Sequence, residues 1–580
     1  MKVSGFTIIR NGCEYDFPFE ESIRSLFPVV DELVVNVGQG TDETLSRIEK
    51  LATELGRDKF VIFESNWGFE DESNRRGGLI LSEQTNQALA RCTGDWCVYL
   101  QADEALSEKD YSKLKTQLLR AHHEKTLEAL VFDYIHFYGS YDVVQTSRSA
   151  YRREIRAIKN HIGIKSVGDA QSFRSKDGSK LSAVLAYTSI YHYGWVRSPE
   201  KMKEKTFFMD QLYHGAPSEE QIKNKTPHTG ENYKYKRILG LERFYGSHPE
   251  VMKKRISEKN WNWDFEGSPQ IFSPSDTKKL ILDKIEKITG ERLFEKKNYL
   301  LRDLSPPQVS VILSTFRMTK QLEMVLESLS RQTYRQFEVI LCEDDENVET
   351  NEVVKKFKRT HPEVNLKHIT QKNQGFRKCR ILNQGIIQSS GDLLVFLDGD
   401  CVVHPGFIND HAKNYEPGFY LAGRRIDLEE TVTKKLNVES VKKGFFDYIN
   451  LDWIIARMNS QSDKLHRMLR VESPLLRKLL QLNKVTDLKG CNFSVSKTDI
   501  LAINGFDESY EGYGREDTDV ELRLKNLGLK IKSLRGLALQ FHLWHPRREF
   551  TQMNESLLES VKKEKRIEAI KGLSNLRSAL

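Results

Sequence analysis

The chain has 580 residues, 39% of them hydrophobic and 29% charged, with a formal net charge of +7. One ordinary core cannot hold that length, so two or more large domains are expected in a globular protein with a wet surface. Seven cysteines, an odd number with no CxxC pair, exclude a disulfide framework or zinc ribbon and point to a reducing compartment. The start, MKVSGFTIIRNGCEYD, lacks the apolar core of a signal peptide and reads as a first strand. No window of about eighteen uninterrupted apolar residues occurs, so no membrane span is expected and a cytoplasmic location is. The mild basic surplus suits anionic substrates or an anionic membrane surface.

Residues 1–130 alternate strands and helices. Strands are predicted at Phe6–Ile9, Glu32–Val37, Phe60–Phe63 and Trp96–Leu100, with helices over Glu20–Leu26, Thr44–Leu55 and Ser82–Arg91 between them. This order implies a parallel sheet with helices on both faces. Aromatics, arginines and the strand-like pieces Leu130–Phe137 and Ser189–Tyr193 carry the first domain on to residue 200. Residues 201–305, rich in Lys, Glu, Asn and aromatics, read as a helical extension and connector with a basic helix over Lys278–Lys287. Ser305-Pro306-Pro307 marks a boundary, because two prolines fit neither a helix interior nor a central strand.

The same order restarts in a second domain, 306–550. Strands are predicted at Val309–Ser314, Phe337–Cys342 and Leu366–Ile369, and helices at Gln321–Gln332, Glu352–Arg359 and Cys379–Ser389. Within it, 431–489 is a helical insert with twelve Lys/Arg against six acids. A tail, 551–580, reads as one amphipathic helix. The fold class expected is therefore α/β: two Rossmann-like, mostly parallel sheets with a helical connector and a helical insert.

Two runs carry the chemistry, LLVFLDGDC at Leu393–Cys401 and WCVYLQADE at Trp96–Glu104. Each reads as a buried strand ending at the rim where open α/β sheets bind ligands. Carboxylates one residue apart, such as Asp398 and Asp400, can share a hard divalent cation that also takes phosphate oxygens.

PQVSVILSTFRM, FEVILCEDDE, QGFRKCRILNQGI, GDLLVFLDGDC, GCNFSVSKTDILAINGFDE and GREDTDVELRL follow in that order. Together, over about residues 307–546, they resemble family 2 inverting glycosyltransferases of the GT-A fold, above all chondroitin-polymerase-like and galactosyltransferase-like members. The resemblance implies a nucleotide-sugar site at Ser314, Thr315, Arg317, Glu343, Asp344, Asp345, Arg377 and Asp398, with Lys372 and Lys378 toward the diphosphate. It implies Mn²⁺ or Mg²⁺ on Asp398 and Asp400, completed by His542 or, second, His545 of HLWHP. It implies Asp517 as the base that takes the acceptor proton, with Glu516 beside it and Gly512 and Gly514 leading in.

FTIIRNGCEYD…NVGQGTDETL and GDWCVYLQADE resemble lipopolysaccharide-core glucosyltransferase-type members of the same family. There Gln101 stands where the first carboxylate is expected, leaving Asp103 as metal ligand with His192 of IYHYGWVRSP as the analogue of His542. Glu154 is the candidate base and Asp169 the runner-up; Ile9, Asn11, Asn36, Asp42 and Glu83 are nucleotide-side candidates.

The resemblances imply a bifunctional transferase that uses UDP-sugars to extend a glycan or lipid-linked glycan of a bacterial capsule or O-antigen. It would touch the anionic inner face of the cytoplasmic membrane and have no nucleic-acid partner. The alternative is one active C-terminal transferase with an N-terminal glycan-binding scaffold. A nucleotidyltransferase or an aspartate-based phosphatase fits less well, because LDGDCV lacks the threonine of a DxDxT motif and no glycine-rich phosphate loop is present.

Overall fold

A computed structural model of the chain describes residues 1–68, 77–214, 233–271, 274–289, 295–447, 469–484, 487–546 and 551–577. They fall into two compact units, Met1–Leu304 and Ser305–Leu580. Both are mixed α/β with a largely parallel sheet at the centre.

In the first unit, Phe60–Ser65, Glu32–Gly38, Val3–Ile9 and Trp96–Tyr99 lie side by side and parallel. Arg153–Lys159 then joins antiparallel, followed by Ala129–Tyr138 and the long strand Ser182–Trp195. In the second unit, Asn365–Thr370, Phe337–Glu343, Val309–Thr315 and Leu393–Asp398 repeat the parallel set. Asn492–Ser496 joins them antiparallel. The strands are apolar runs because helices cover both faces; Leu33, Val34 and Val35, like Leu393, Leu394 and Val395, are wholly buried.

The registers make the two sheets comparable residue by residue. Ile8 faces Asn36 as Ser314 faces Cys342, and Phe6 faces Tyr99 as Ile312 faces Phe396. Counting along the chain, Gln101 therefore corresponds to Asp398 and Asp103 to Asp400. A polar clamp at the opposite rim repeats as well. Ser4 Oγ donates to Glu32 (2.5 Å) and accepts from Gly94 N (2.7 Å); Ser310 Oγ donates to Glu338 (2.7 Å) and accepts from Gly391 N (2.8 Å). Lys2 and Thr93 complete the first clamp, Lys367 and Ser390 the second. At both glycines a Cβ would stand 2.7 Å from the amide of the clamp serine, so the close turn needs glycine.

Three expectations change. Residues 201–304 are not a separate connector. The helix Pro199–His214 buries Met202, Phe208 and Leu212 in the first unit, Leu241–Arg243 adds a strand to its sheet, and Leu300–Leu301 pairs with Ser182–Ala183. Arg148 ties the helix Pro274–Thr289 to the same unit through Asp283 and Glu286. The tail is two short helices, Met553–Glu564 and Leu573–Arg577, whose Leu558, Val561 and Leu573 are buried. Of the insert, 448–468 and 485–486 lie outside the described residues. Its described parts form short helices, Val438–Lys442 and Pro474–Leu479; Phe446 is buried, whereas Leu475 and Leu479 are 77% and 75% exposed. No helix among the described residues is long and apolar enough to cross a membrane.

Candidate functional site

In the second unit, three parallel strands deliver their C-terminal ends to one rim. Asp398 closes its strand, and Gly399-Asp400 turn the chain into Cys401–Val403. That short strand pairs antiparallel with Gln540–His542, which sets Cys401 opposite His542 and brings the imidazole beside Asp400. His542 Nε2 lies 3.7 Å and His545 Nε2 3.3 Å from Asp400 Oδ2. The other nitrogen of His542 lies 3.3 Å from Asp427, whose strand runs alongside in register; a carboxylate there fixes the ring as it does behind many metal-bound histidines. Burial pushes the Asp400 carboxyl up, but His545 and His542 outweigh it and hold it at about 2.

Among the described residues, Asp400, His542 and His545 form the one group of three such side chains whose ligand atoms lie within 4.8 Å of one another. One carboxylate with two imidazoles is a donor set better suited to a transition-metal ion than to the harder Mg²⁺. Asp398 stands apart from this group. Its Oδ1 accepts from Ser314 Oγ and from Lys378 Nζ, both at 2.7 Å. Burial works against the Lys378 charge, yet Asp398 and Glu516 more than offset it and push its pKa up.

These groups line a cavity of about 720 Å³, the size of a small-molecule site. Ser314, Thr315 and Asp344 form the wall at the strand ends, and Thr315 Oγ1 is buried there without a hydrogen bond. Asp344 accepts from Arg377 N and Gln371 Nε2, both at 2.7 Å, and burial raises its pKa. Arg317, at φ 52°, pairs with Asp345, and Arg377 pairs with Glu511; none of these four lines the cavity, and Lys372 is exposed. Glu343 is a correction. It is wholly buried against His368 Nε2 (2.8 Å), which removes it from a donor's reach.

The helix Glu516–Asn526 starts on the opposite wall, after Gly512 and Gly514, both at positive φ. Glu516 faces the cavity, and burial, ahead of the Lys378 charge, raises its pKa. Asp517 sits beside that wall, accepting from Gly490 N at 3.1 Å.

In the first unit the corresponding rim carries different chemistry. Glu104 pairs in register with His192 as Cys401 does with His542, so His192 occupies the place of His542. Counting on, Trp195 stands where His545 does. Asp103 meets His192 Nε2 at 3.7 Å but lies closer to Lys205 Nζ, at 3.1 Å, with Arg197 Nη2 at 4.0 Å. Burial would raise the Asp103 pKa; Lys205, His192 and Arg197 instead carry it well below the carboxylate range. Burial lowers Lys205 to about 8 and also lowers His192. Lys205 and Arg197 were missed in the sequence because they lie far along the chain, in and before a helix read as connector.

Other candidates of this unit turn inward. Glu154 is 1% exposed and accepts from Ser172 Oγ (2.9 Å) and Asn298 Nδ2 (2.8 Å), so the structure corrects its reading as a base. Asn36 is wholly buried and bonds Gln84 and Ser65, away from any ligand surface. Asp42 accepts the backbone N–H of Cys13, Glu14 and Thr44, a turn role. Asn11, at φ 50°, donates to Glu14, and Glu83 is exposed. Ile9 lines a cavity of about 110 Å³ that shares Gln101, Asp103 and Lys205 with a larger one of about 330 Å³. Asp169 lines the larger, accepting from Tyr213 OH at 2.9 Å.

Residues 310–481 match the family model described as glycosyl transferase family 2, and 479–546 match that of the N-terminal domain of galactosyltransferase. Chondroitin synthase of Escherichia coli is 23% identical over 48% of this chain and 41% of its own length. Validoxylamine A glucosyltransferase of Streptomyces hygroscopicus subsp. jinggangensis is 24% identical over 39% of this chain and 53% of its own. The chain thus spans about half or less of the curated relatives it matches. A solved mannosyltransferase of Pyrobaculum calidifontis, in complex with GDP-Man and Mn²⁺, is 16% identical over 42% of this chain and 61% of its own, at a TM-score of 0.30. The six ordered motifs and the two adjoining family matches fall on the same stretch of chain, over which the second unit is similar to glycosyl transferase family 2.

Proposed function

We propose that the second unit transfers a sugar, with inversion, from a UDP-sugar to a growing glycan. The observation that carries this reading is the convergence on one cavity of a nucleotide-side carboxylate, Asp344, a cation–carboxylate pair, Lys378–Asp398, a three-ligand group, Asp400–His542–His545, and an acidic helix start, Glu516-Asp517. Mn²⁺ or Mg²⁺ on Asp400, His542 and His545 would supply Lewis-acid stabilisation of the departing diphosphate. Lys378 holds a positive charge on the same side, where negative charge grows as the leaving group departs. Asp517 takes the acceptor proton, and Glu516 orients the hydroxyl from the cavity wall.

The first unit is proposed as a second transferase, with Asp169, which faces its cavity, as the base in place of Glu154. The rival reading, a glycan-binding scaffold, draws on Gln101 and on the absence of a Glu-Asp helix start among the described residues of that rim. The relatives include enzymes named for polysaccharide synthesis, chondroitin synthase and hyaluronan synthase, and one from Campylobacter jejuni named for glucosyl transfer to an undecaprenol-linked glycan. They support a bacterial surface polysaccharide as the product and a lipid-linked glycan as the acceptor. The exposed leucines of Pro474–Leu479, beside Lys478 and Lys484, support peripheral contact with an anionic membrane.

The deciding experiment incubates the protein with a panel of UDP-sugars and labelled acceptors, in Mn²⁺ or EDTA, with each site disabled in turn. Two additions that fail separately support two transferases. One addition, lost only with the second site, leaves the first unit as a scaffold. No addition under any condition overturns the reading.

A further inference from the structure

The two rims differ by a substitution of charge. In the second unit Lys378 pairs with Asp398 and Asp400 meets two imidazoles; counting Lys378, Asp398 and Asp400 alone, a divalent ion on Asp400 would leave +1. In the first unit Gln101 removes one carboxylate, Trp195 removes one imidazole, and Lys205 with Arg197 brings two cations to the remaining Asp103. Counting Asp103, Lys205 and Arg197 alone leaves the same +1 with no metal, with Asp169 lining the same cavity.

We propose that the first unit holds an anion, the diphosphate of a nucleoside diphosphate or its sugar ester, on Lys205 without a divalent cation. The Lys205 ammonium sits on Asp103 at the position the metal side takes in the second unit, and it lines the cavity of about 330 Å³. Two of its three donors are used, toward Asp103 and toward the Gly194 carbonyl at 2.8 Å. Arg197 stands behind, wholly buried, with Nε and Nη1 spent on the carbonyls of Tyr15 and Gly194 and Nη2 making no hydrogen bond. A cation fixed by backbone carbonyls and one carboxylate in a buried pocket is screened much less by salt, and it costs no reorganisation when an anion arrives.

This reading deepens the proposal of a second transferase, yet its test reads binding and not sugar transfer, so either can fail alone. UDP and inorganic pyrophosphate are titrated calorimetrically into the full chain carrying Asp400→Ala, in EDTA and in Mn²⁺. The expected result is a site that binds UDP equally in both. Lys205→Met should weaken it by about tenfold to a hundredfold, the loss of one charge-assisted hydrogen bond, with the thermal midpoint measured alongside. Asp103→Asn separates the ideas by sign. It frees Lys205, so EDTA-resistant binding should be kept or tightened, whereas a metal held by Asp103 would be lost with it. Binding that appears only with Mn²⁺, or EDTA-resistant binding untouched by Lys205→Met, or weakened by Asp103→Asn, overturns the proposal.

Discussion

The turn Gln101–Glu104 and the turn Asp398–Cys401 occupy the same place at the end of the fourth parallel strand, yet their surroundings divide the labour differently. In the second unit the carboxylates outnumber the fixed cations, and a three-ligand group opens onto the cavity. In the first, Lys205 and Arg197 outnumber Asp103 at the turn, and Glu104 is withdrawn into a buried pair with Arg156 at 2.8 Å. The lesson is that a carboxylate turn after a strand fixes a location, while the charges brought to it from distant segments decide what it can hold.

The strongest way to break this comparison lies at the acidic helix start, which the described residues of the first unit do not reproduce. Asp517→Asn should leave UDP-sugar binding intact while turnover of the second site falls by about 10²–10⁴-fold. Glu516→Gln is the control; if it alone abolishes turnover, the base is the cavity-facing residue. Next comes the metal side. Asp400→Ala should lower transfer by the second site by about 10²-fold or more, as loss of one electrostatic anchor of the leaving group does. Manganese-dependent transfer at the wild-type rate in that variant would remove Asp400 from the site. Lys378→Met tests the fixed cation of the second rim. It should weaken donor binding at the second site by about tenfold, as measured by titration with UDP; unchanged affinity would mean that Lys378 only holds Asp398. The smallest effect concerns the insert of the second unit. Wild-type protein should sediment with anionic vesicles at low salt and be released by salt, since each basic residue near such a surface contributes about 1 kcal/mol. Leu475→Ser with Leu479→Ser should reduce the bound fraction; failure of the wild type to sediment ends that idea.

Much of the frame was legible because it is written locally. Thr44–Leu55 runs to its predicted ends, and the parallel strands appear on the apolar runs, since burial on both faces leaves an unbroken apolar signature. Asp400 and His542 were legible for the same reason, being fixed by short turns next to those strands. What could not be read was any property set by pairing across long stretches. Glu154 looked free, yet Asn298 and Ser172 reach it from 144 and 18 residues away. Asn36 sits on an inward position of its strand, which alternation cannot reveal when both neighbours are buried too. Lys205 meets Asp103 over a separation of 102 residues, and nothing in KMKEKTFF marks that lysine among its neighbours.

The clamp at the far rim makes the two units alike in one further respect, their behaviour in acid. Glu32 and Glu338 each resist the upward push of burial because lysine, hydroxyl and amide donors converge on the carboxylate, holding both at about 2 against an ordinary 4.5. A carboxyl depressed in the folded state binds fewer protons there than when unfolded, so its contribution is complete above about pH 4.5 and drains away as pH falls toward 2. Both sheets therefore carry the same acid fuse at the same joint, where the Gly-Asp turn is pinned to the first strand. Melting followed along a descending pH series should show the two units weakening over one shared window, and Glu338→Gln should flatten that dependence for the second unit while the first still responds.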